Sequence, residues 1–182
     1  LIIKSNISKY NLKINKEIKL PDESKSKLKI AILGQVETDN SILYGVPKNI
    51  LKKSNFELVR KVKKDNPDSF IVYKPHPDLE SGLRKKGLEE SKIDEIADYI
   101  AYESSLEDIF KKVDKVAVFT SLGGFEALIR GLSVTTYGLP FYAGWGLTED
   151  KITNHKCFKR RTRMLSLEEL VFISLVEYPF YY

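Results

Sequence analysis

From Leu28 onward, short apolar runs of β-branched and aromatic residues alternate with stretches of helical periodicity, and no other feature of the chain restricts its fold as much. Repetition of this kind marks βα units around a parallel sheet, whose strands read as continuous apolar runs because both faces are covered. Strands are predicted at 29–33, 70–74, 99–101, 116–119 and 134–137. Helices are predicted between them. One spans 47–64, with Pro47 in its first turn and Ile50, Leu51, Leu58 and Val62 as its buried stripe. A second spans 105–112 behind a shortened capping box, Ser105 to Asp108, and a third spans 123–130 with Gly131 as its C-terminal cap. The last runs from Ser166, three residues before Glu169, to about Val176. The expected architecture is α/β: an open, mainly parallel, Rossmann-like sheet of roughly five strands with helices on both faces.

The 182 residues suffice for one core, and 42% hydrophobic with 30% charged residues is ordinary for a globular domain. Residues 1–27 read as a polar lead-in or connector and 28–182 as the domain. Because the chain opens on Leu1 rather than methionine, a further upstream part is expected. A single cysteine, Cys157, and two histidines leave neither an intramolecular disulfide nor a Cys/His zinc cluster, which suits a reducing, cytoplasmic setting. No apolar run is long enough to span a bilayer. The formal charge is +5, but most lysines alternate with acids, as in the run from Lys61 to Asp65. Such runs are solvated faces, and no nucleic-acid partner is expected. The segment from Lys156 to Arg163 is different: Lys156, Lys159, Arg160, Arg161 and Arg163 meet no acid before Glu168. That patch suits an anionic substrate or lipid headgroups as well as it suits a solvated loop.

Open parallel sheets bind ligands beyond the carboxyl ends of their strands. After the first strand come Gly34, Gln35, Glu37, Asp39 and Ser41, a turn with an amide and two carboxylates; a catalytic carboxylate and a plain solvated turn both fit. After the second comes Lys74-Pro75-His76-Pro77-Asp78, where two prolines hold a histidine well suited to a phosphate. The fourth runs into Thr120-Ser121-Leu122-Gly123-Gly124-Phe125-Glu126. Hydroxyls, glycines and a helix N-terminus there converge where an anion docks, with Glu126 placed to accept from a ribose diol. There is no Walker A lysine, no G-x-G-x-x-G and no G-x-S-x-G. After the fifth strand, Tyr142 and Trp145 alternate with Gly144 and Gly146, as in a loop that stacks on a sugar or base or one that packs on itself.

Taken together, these pieces resemble the capsule polysaccharide biosynthesis family of KpsC and KpsS type, which are CMP-Kdo-dependent Kdo transferases, Kdo being an acidic sugar. The resemblance is carried by Ser8 to Leu12, Gly34-Gln35 with Asp39 and Ser41, Lys74 to Asp78, Thr120 to Leu128, Tyr137 to Thr148, and Arg160 to Arg163. It implies the carboxyl-terminal, donor-binding half of a GT-B-like retaining β-Kdo transferase in capsule polysaccharide biosynthesis and transport. On that pattern Lys74, His76, Pro77, Thr120, Ser121, Gly123 and Gly124 surround the donor phosphate, and Glu126 meets the ribose or cytidine. Asp39 is the candidate nucleophile, with Gln35 positioning it or the Kdo carboxylate. Tyr142, Trp145, Arg160, Arg161 and Arg163 contact substrate or its anions. No cofactor or metal is implied, CMP-Kdo being the donor substrate. The implied partners are a CMP-sugar and a glycolipid or saccharide acceptor, with peripheral association at the cytoplasmic face of the inner membrane or with capsule-assembly proteins. Two other readings stand beside it: a UDP-sugar GT-B enzyme or epimerase, and a noncatalytic nucleotide-binding or assembly module.

Overall fold

A computed structural model describes residues 17–47, 52–85, 87 and 89–179. Six parallel strands form one sheet: β1 (Lys29–Leu33), β2 (Phe70–Lys74), β3 (Tyr99–Ile100), β4 (Lys115–Val118), β5 (Ser133–Thr136) and β6 (Glu149–Asp150), in the spatial order β3-β2-β1-β4-β5-β6. The chain builds outward from β1 to β3, then crosses back to place β4 on the other side of β1. That crossing makes β1/β4 the switch point, where the connections leave in opposite directions and a crevice opens. Alternate residues feed two cores. Ala31, Leu33, Val72, Val116 and Val118 face one layer, whereas Ile30, Ile32, Ile71, Tyr73 and Ala117 face the other. Covering on both faces explains why these strands read as unbroken apolar runs.

The sheet has one more strand than expected. β6 consists of two acids, which have low strand propensity, and it forms because tertiary partners absorb both carboxylates. Thr135 Oγ1 donates to Glu149 Oε2 at 3.2 Å, and Thr136 Oγ1 donates to Asp150 Oδ1 at 2.8 Å. Lys115 and Lys151 hold the Glu149 carboxyl down at about 2, against an ordinary 4.5. A depressed carboxyl stabilises the fold above its unfolded value and loses that contribution as pH falls through its folded value. Glu149→Gln should therefore melt below the native chain at neutral pH, with the difference closing between pH 4.5 and about 2. Because Glu149 is half exposed, added salt should shrink the difference as well.

Helix boundaries shift where a cap overrides apolar spacing. The first long helix, α2 (Asn55–Asp65), starts at Asn55 instead of Pro47, because the Ser54 hydroxyl accepts the Glu57 N–H at 3.2 Å and ends the non-helical approach. Pro47 instead follows a shorter helix, α1 (Asn40–Gly45), and Ile50 and Leu51 lie outside the described residues. Two more helices are short, α3 (Pro77–Glu80) and α4 (Leu106–Phe110). Ser105 caps α4, though Asp108 accepts its hydroxyl at 2.8 Å instead of reaching back to a backbone N–H. Helix α5 (Leu122–Ile129) ends as expected on Gly131, at φ 79°, with Gly131 N–H donating to Leu128 and Leu132 N–H to Ala127. In α6 (Leu167–Phe172) the Ser166/Glu169 capping box is complete, its two bonds measuring 3.1 and 2.7 Å. A π-helical turn, Ile173–Glu177, extends α6. At the other end of the chain, Ile18 is buried within the core and Leu20 packs beside it. The carboxyl end of the predicted connector thus contributes to the folded unit, while Ser8 to Leu12 lie outside the described residues.

Candidate functional site

β1 and β2 run in register to Leu33 and Lys74, so the turns beginning at Gly34 and Pro75 leave the sheet side by side. Beyond β4, Thr120 and Ser121 lead into α5 on the other flank of β1. The three turns, with the start of α4, enclose a cleft of about 230 Å³ lined by Gln35, Asp39, Lys74, His76, Pro77, Ser105, Thr120, Ser121, Gly123 and Glu126 among others. Nine predicted site residues meet there. Ser104 and Ser105 join them from the β3–α4 connection, and in the sequence only the cap signature at Ser105 marked that segment.

Local bonds fix several of these side chains. His76 Nδ1 accepts the Asp78 N–H at 3.2 Å and so caps α3. A ring nitrogen that accepts carries no proton, so the neutral imidazole bears its proton on Nε2. Ser121 caps α5, its hydroxyl accepting the Gly123 N–H at 3.2 Å. The N-terminus of α5 thereby opens on the cleft with the positive end of its dipole. Asp39 precedes α1, but its side chain makes no cap bond; its backbone carbonyl accepts from Ile42 and Leu43. Lys74 is buried, and burial holds its ammonium below the usual lysine range while its ion pair with Glu80 works the other way. Glu80 also accepts the Glu103 N–H at 2.9 Å, which supports Glu103 at φ 52°. Glu126 is 7% exposed, with Oε2 3.9 Å from Arg130 Nη1.

The structure engages the Gln35 amide with Thr120, not with Asp39. Its Oε1 accepts the Thr120 N–H at 2.9 Å and its Nε2 donates to Thr120 Oγ1 at 3.1 Å. The amide thus bridges β1 to β4 instead of orienting Asp39. Behind it stands a buried network that the sequence did not disclose. Asn55 pairs with both backbone groups of Gln35, at 3.0 and 2.9 Å, and donates to Glu90 Oε2 at 2.9 Å. Tyr73 donates to the other Glu90 oxygen. Burial, reinforced by Glu90, pushes the Tyr73 phenol well above its ordinary value, so it stays a donor. Burial also raises the Glu37 carboxyl, against the Asn55 N–H that it accepts at 2.8 Å.

Six predicted residues do not line the cleft. Gly124 lies against Tyr142, where a Cβ would stand 2.2 Å from the phenol oxygen. Tyr142 is fully buried, its hydroxyl donating to the Ser121 carbonyl at 2.5 Å, and so shapes the site from behind rather than stacking on a ligand. Trp145 donates its indole N–H to Phe141 O at 2.7 Å. Arg161 sits 5.8 Å from the Trp145 ring, with Nη1 on the carbonyls of Pro140 and Ala143 at 2.9 and 2.6 Å. Those bonds occupy its guanidinium with loop packing. The last two, Arg160 and Arg163, are exposed outside the cleft. Among the described residues, no group of three or more His, Cys, Asp or Glu side chains could hold a metal ion, and no helix is long and apolar enough to cross a membrane.

The family model described as "Capsule polysaccharide biosynthesis protein" matches residues 2–181. The chain belongs to this family. Among its relatives, the capsule polysaccharide modification protein LipA of Neisseria meningitidis serogroup B is 40% identical over 181 residues, all of this chain and 24% of LipA. The lipopolysaccharide-processing protein LpsZ of Rhizobium meliloti is 38% identical, over 96% of this chain and 38% of LpsZ. Two solved structures of Thermosulfurimonas dismutans KpsC are similar. The beta Kdo 2,7 transferase superposes with a TM-score of 0.73 at 45% identity, covering 86% of this chain and 47% of that one. The beta Kdo 2,4 transferase gives 0.76 at 30% identity, covering 93% and 50%. This capsule-family chain therefore spans a quarter to a half of the length of the proteins it matches, and its Rossmann-like sheet is the part it shares with KpsC.

Proposed function

We propose that this chain is the donor-binding half of a GT-B-like, retaining β-Kdo transferase, with CMP-Kdo as donor and a lipid-linked saccharide or Kdo as acceptor. The observation that carries the reading is the convergence of His76, Thr120, Ser121 and the α5 N-terminus with Asp39 in one cleft at the β1/β4 switch point. A CMP leaving group departs with its phosphate charge. The His76 Nε2–H, two hydroxyls and a helix end offset that charge through hydrogen bonds and dipoles already in place. Retention of configuration requires two displacements at the anomeric carbon. In the first, an Asp39 oxygen forms the bond to that carbon as the bond to the phosphate oxygen breaks. In the second, the acceptor oxygen forms its bond to that carbon as the bond to Asp39 breaks, which regenerates the carboxylate, and the hydroxyl proton passes to solvent. An Asp39 carboxylate without a cap bond is available for this role. Glu126 accepts from the ribose diol, and the acceptor side comes from outside this chain.

Both KpsC neighbours are Kdo transferases, which supports Kdo as the sugar. Calorimetry tests the reading: CMP is expected to bind and to outcompete UDP. His76→Ala should weaken CMP by about tenfold or more, the worth of one hydrogen bond to a charged group. Equal affinity for UDP, or an unchanged CMP constant in His76→Ala, would overturn it.

A further inference from the structure

The hydroxyl of Thr120 is fixed in both position and polarity. Its methyl is wedged between two glycines: a Cβ would lie 2.7 Å from it at Gly45 and 2.9 Å from it at Gly138. A methyl held from both sides fixes χ1, and with it Oγ1. The Thr120 N–H donates to Gln35 Oε1 at 2.9 Å. A backbone N–H can only donate, so this bond decides which end of the amide is oxygen. The Nε2 end then donates to Thr120 Oγ1 at 3.1 Å. Gln35 is held in turn, because Asn55 occupies both its backbone N–H and its carbonyl. With one Oγ1 lone pair engaged by the amide, the hydroxyl proton points elsewhere. Among the described residues nothing accepts it, and Thr120 lines the cleft.

We infer that Gln35 is a positioning residue that polarises Thr120, delivering its hydroxyl to the cleft as a hydrogen-bond donor matched to an anionic phosphate oxygen. A hydroxyl left to itself donates or accepts; Gln35 removes the choice, and the site selects ligands that present acceptors there. The inference rests on reading the cleft as a phosphate site.

The test is titration calorimetry of the native chain, Gln35→Glu, Thr120→Val and Thr120→Ser with CMP, cytidine and inorganic phosphate. A glutamate carboxylate at position 35 only accepts, so it takes the Thr120 hydroxyl proton for itself. Gln35→Glu and Thr120→Val are expected to lose about tenfold to a hundredfold in CMP affinity, while Thr120→Ser stays within about threefold and cytidine binding is unchanged in all four proteins. A merely structural role would move CMP and cytidine together. A native CMP-to-cytidine ratio in Gln35→Glu, or native CMP affinity in Thr120→Val, overturns the inference. Should Gln35→Glu fail to fold, Thr120→Val decides, since it leaves Gln35 in place. If the native chain does not prefer CMP to cytidine, the phosphate arm separates the two ideas. Phosphate binding that Gln35→Glu abolishes keeps the Gln35 assignment while the nucleotide reading falls, and binding of neither CMP nor phosphate overturns both.

Discussion

Asn55→Leu is expected to cost about 3 to 6 kcal/mol of folding stability, because each buried group left without its partner costs about 1 to 3 kcal/mol and a carboxylate costs more. Asn55 is 1% exposed, and its amide serves the Gln35 N–H, the Gln35 carbonyl and the Glu90 carboxylate. Leucine has the volume but none of the three bonds, and water cannot replace them at that depth. A domain is stable by only about 5 to 15 kcal/mol, so the variant should be close to unfolded at room temperature. Urea denaturation gives the difference directly. A loss below about 1 kcal/mol, the worth of a single ordinary hydrogen bond, would mean that the network is solvated and holds nothing.

Gly124→Ala is the second substitution expected to have a large effect, and here two contributions of opposite sign compete. Alanine in a helix interior is favoured over glycine by about 1 kcal/mol. Against this, its methyl would stand 2.2 Å from the Tyr142 phenol oxygen and 2.9 Å from Cζ. Tyr142 has no room to yield. It is fully buried, bonded to the Ser121 carbonyl, and flanked by the Phe125 and Phe141 rings at 6.1 and 5.2 Å. Overpacking of this kind costs about 1 to 3 kcal/mol, and relief requires α5 to move. The clash therefore wins, and since α5 carries Ser121 and the helix end, CMP affinity should fall together with the melting temperature. Gly131→Ala is the control. Nothing lies within 4 Å of a Cβ there, so only its φ of 79° is strained, and it should lower the melting temperature without touching CMP affinity. A Gly124→Ala protein with native stability and native affinity would show that the Tyr142 contact relaxes freely.

The two substitutions also separate what was readable in the chain from what was not. Gly124 drew attention as a glycine near a phosphate site, but what requires a glycine there is the ring of a residue eighteen positions on, which no local pattern encodes. Tyr142 and Arg161 were misplaced for a related reason. An aromatic in a glycine-rich loop, or an arginine in a basic segment, has the same local sequence whether it faces a ligand or the protein's own loops, and only packing decides. The helix at 47–64 failed differently: apolar spacing carried the prediction through Ser54, whose capping hydroxyl ends the approach to α2. β6 was invisible because two acids have no strand propensity until threonines and lysines from neighbouring strands absorb their charge.

By itself the sequence determined the parallel α/β class, the positions of strands β1 to β5 to within a residue at each end, the helix caps at Ser105, Gly131 and Ser166, and the set of strand-end turns that carry polar chemistry. Those features depend on neighbours within a few residues, through apolar periodicity, hydroxyl caps and glycine's freedom at positive φ, and the family assignment follows from the order of the same turns. The tertiary structure alone decided which of those turns share a cleft, that Gln35 faces Thr120 across 85 positions, and that Asn55 and Glu90 anchor the site from behind. Such pairings depend on where the sheet brings distant segments together, and a hydrogen bond between them leaves no periodicity to read.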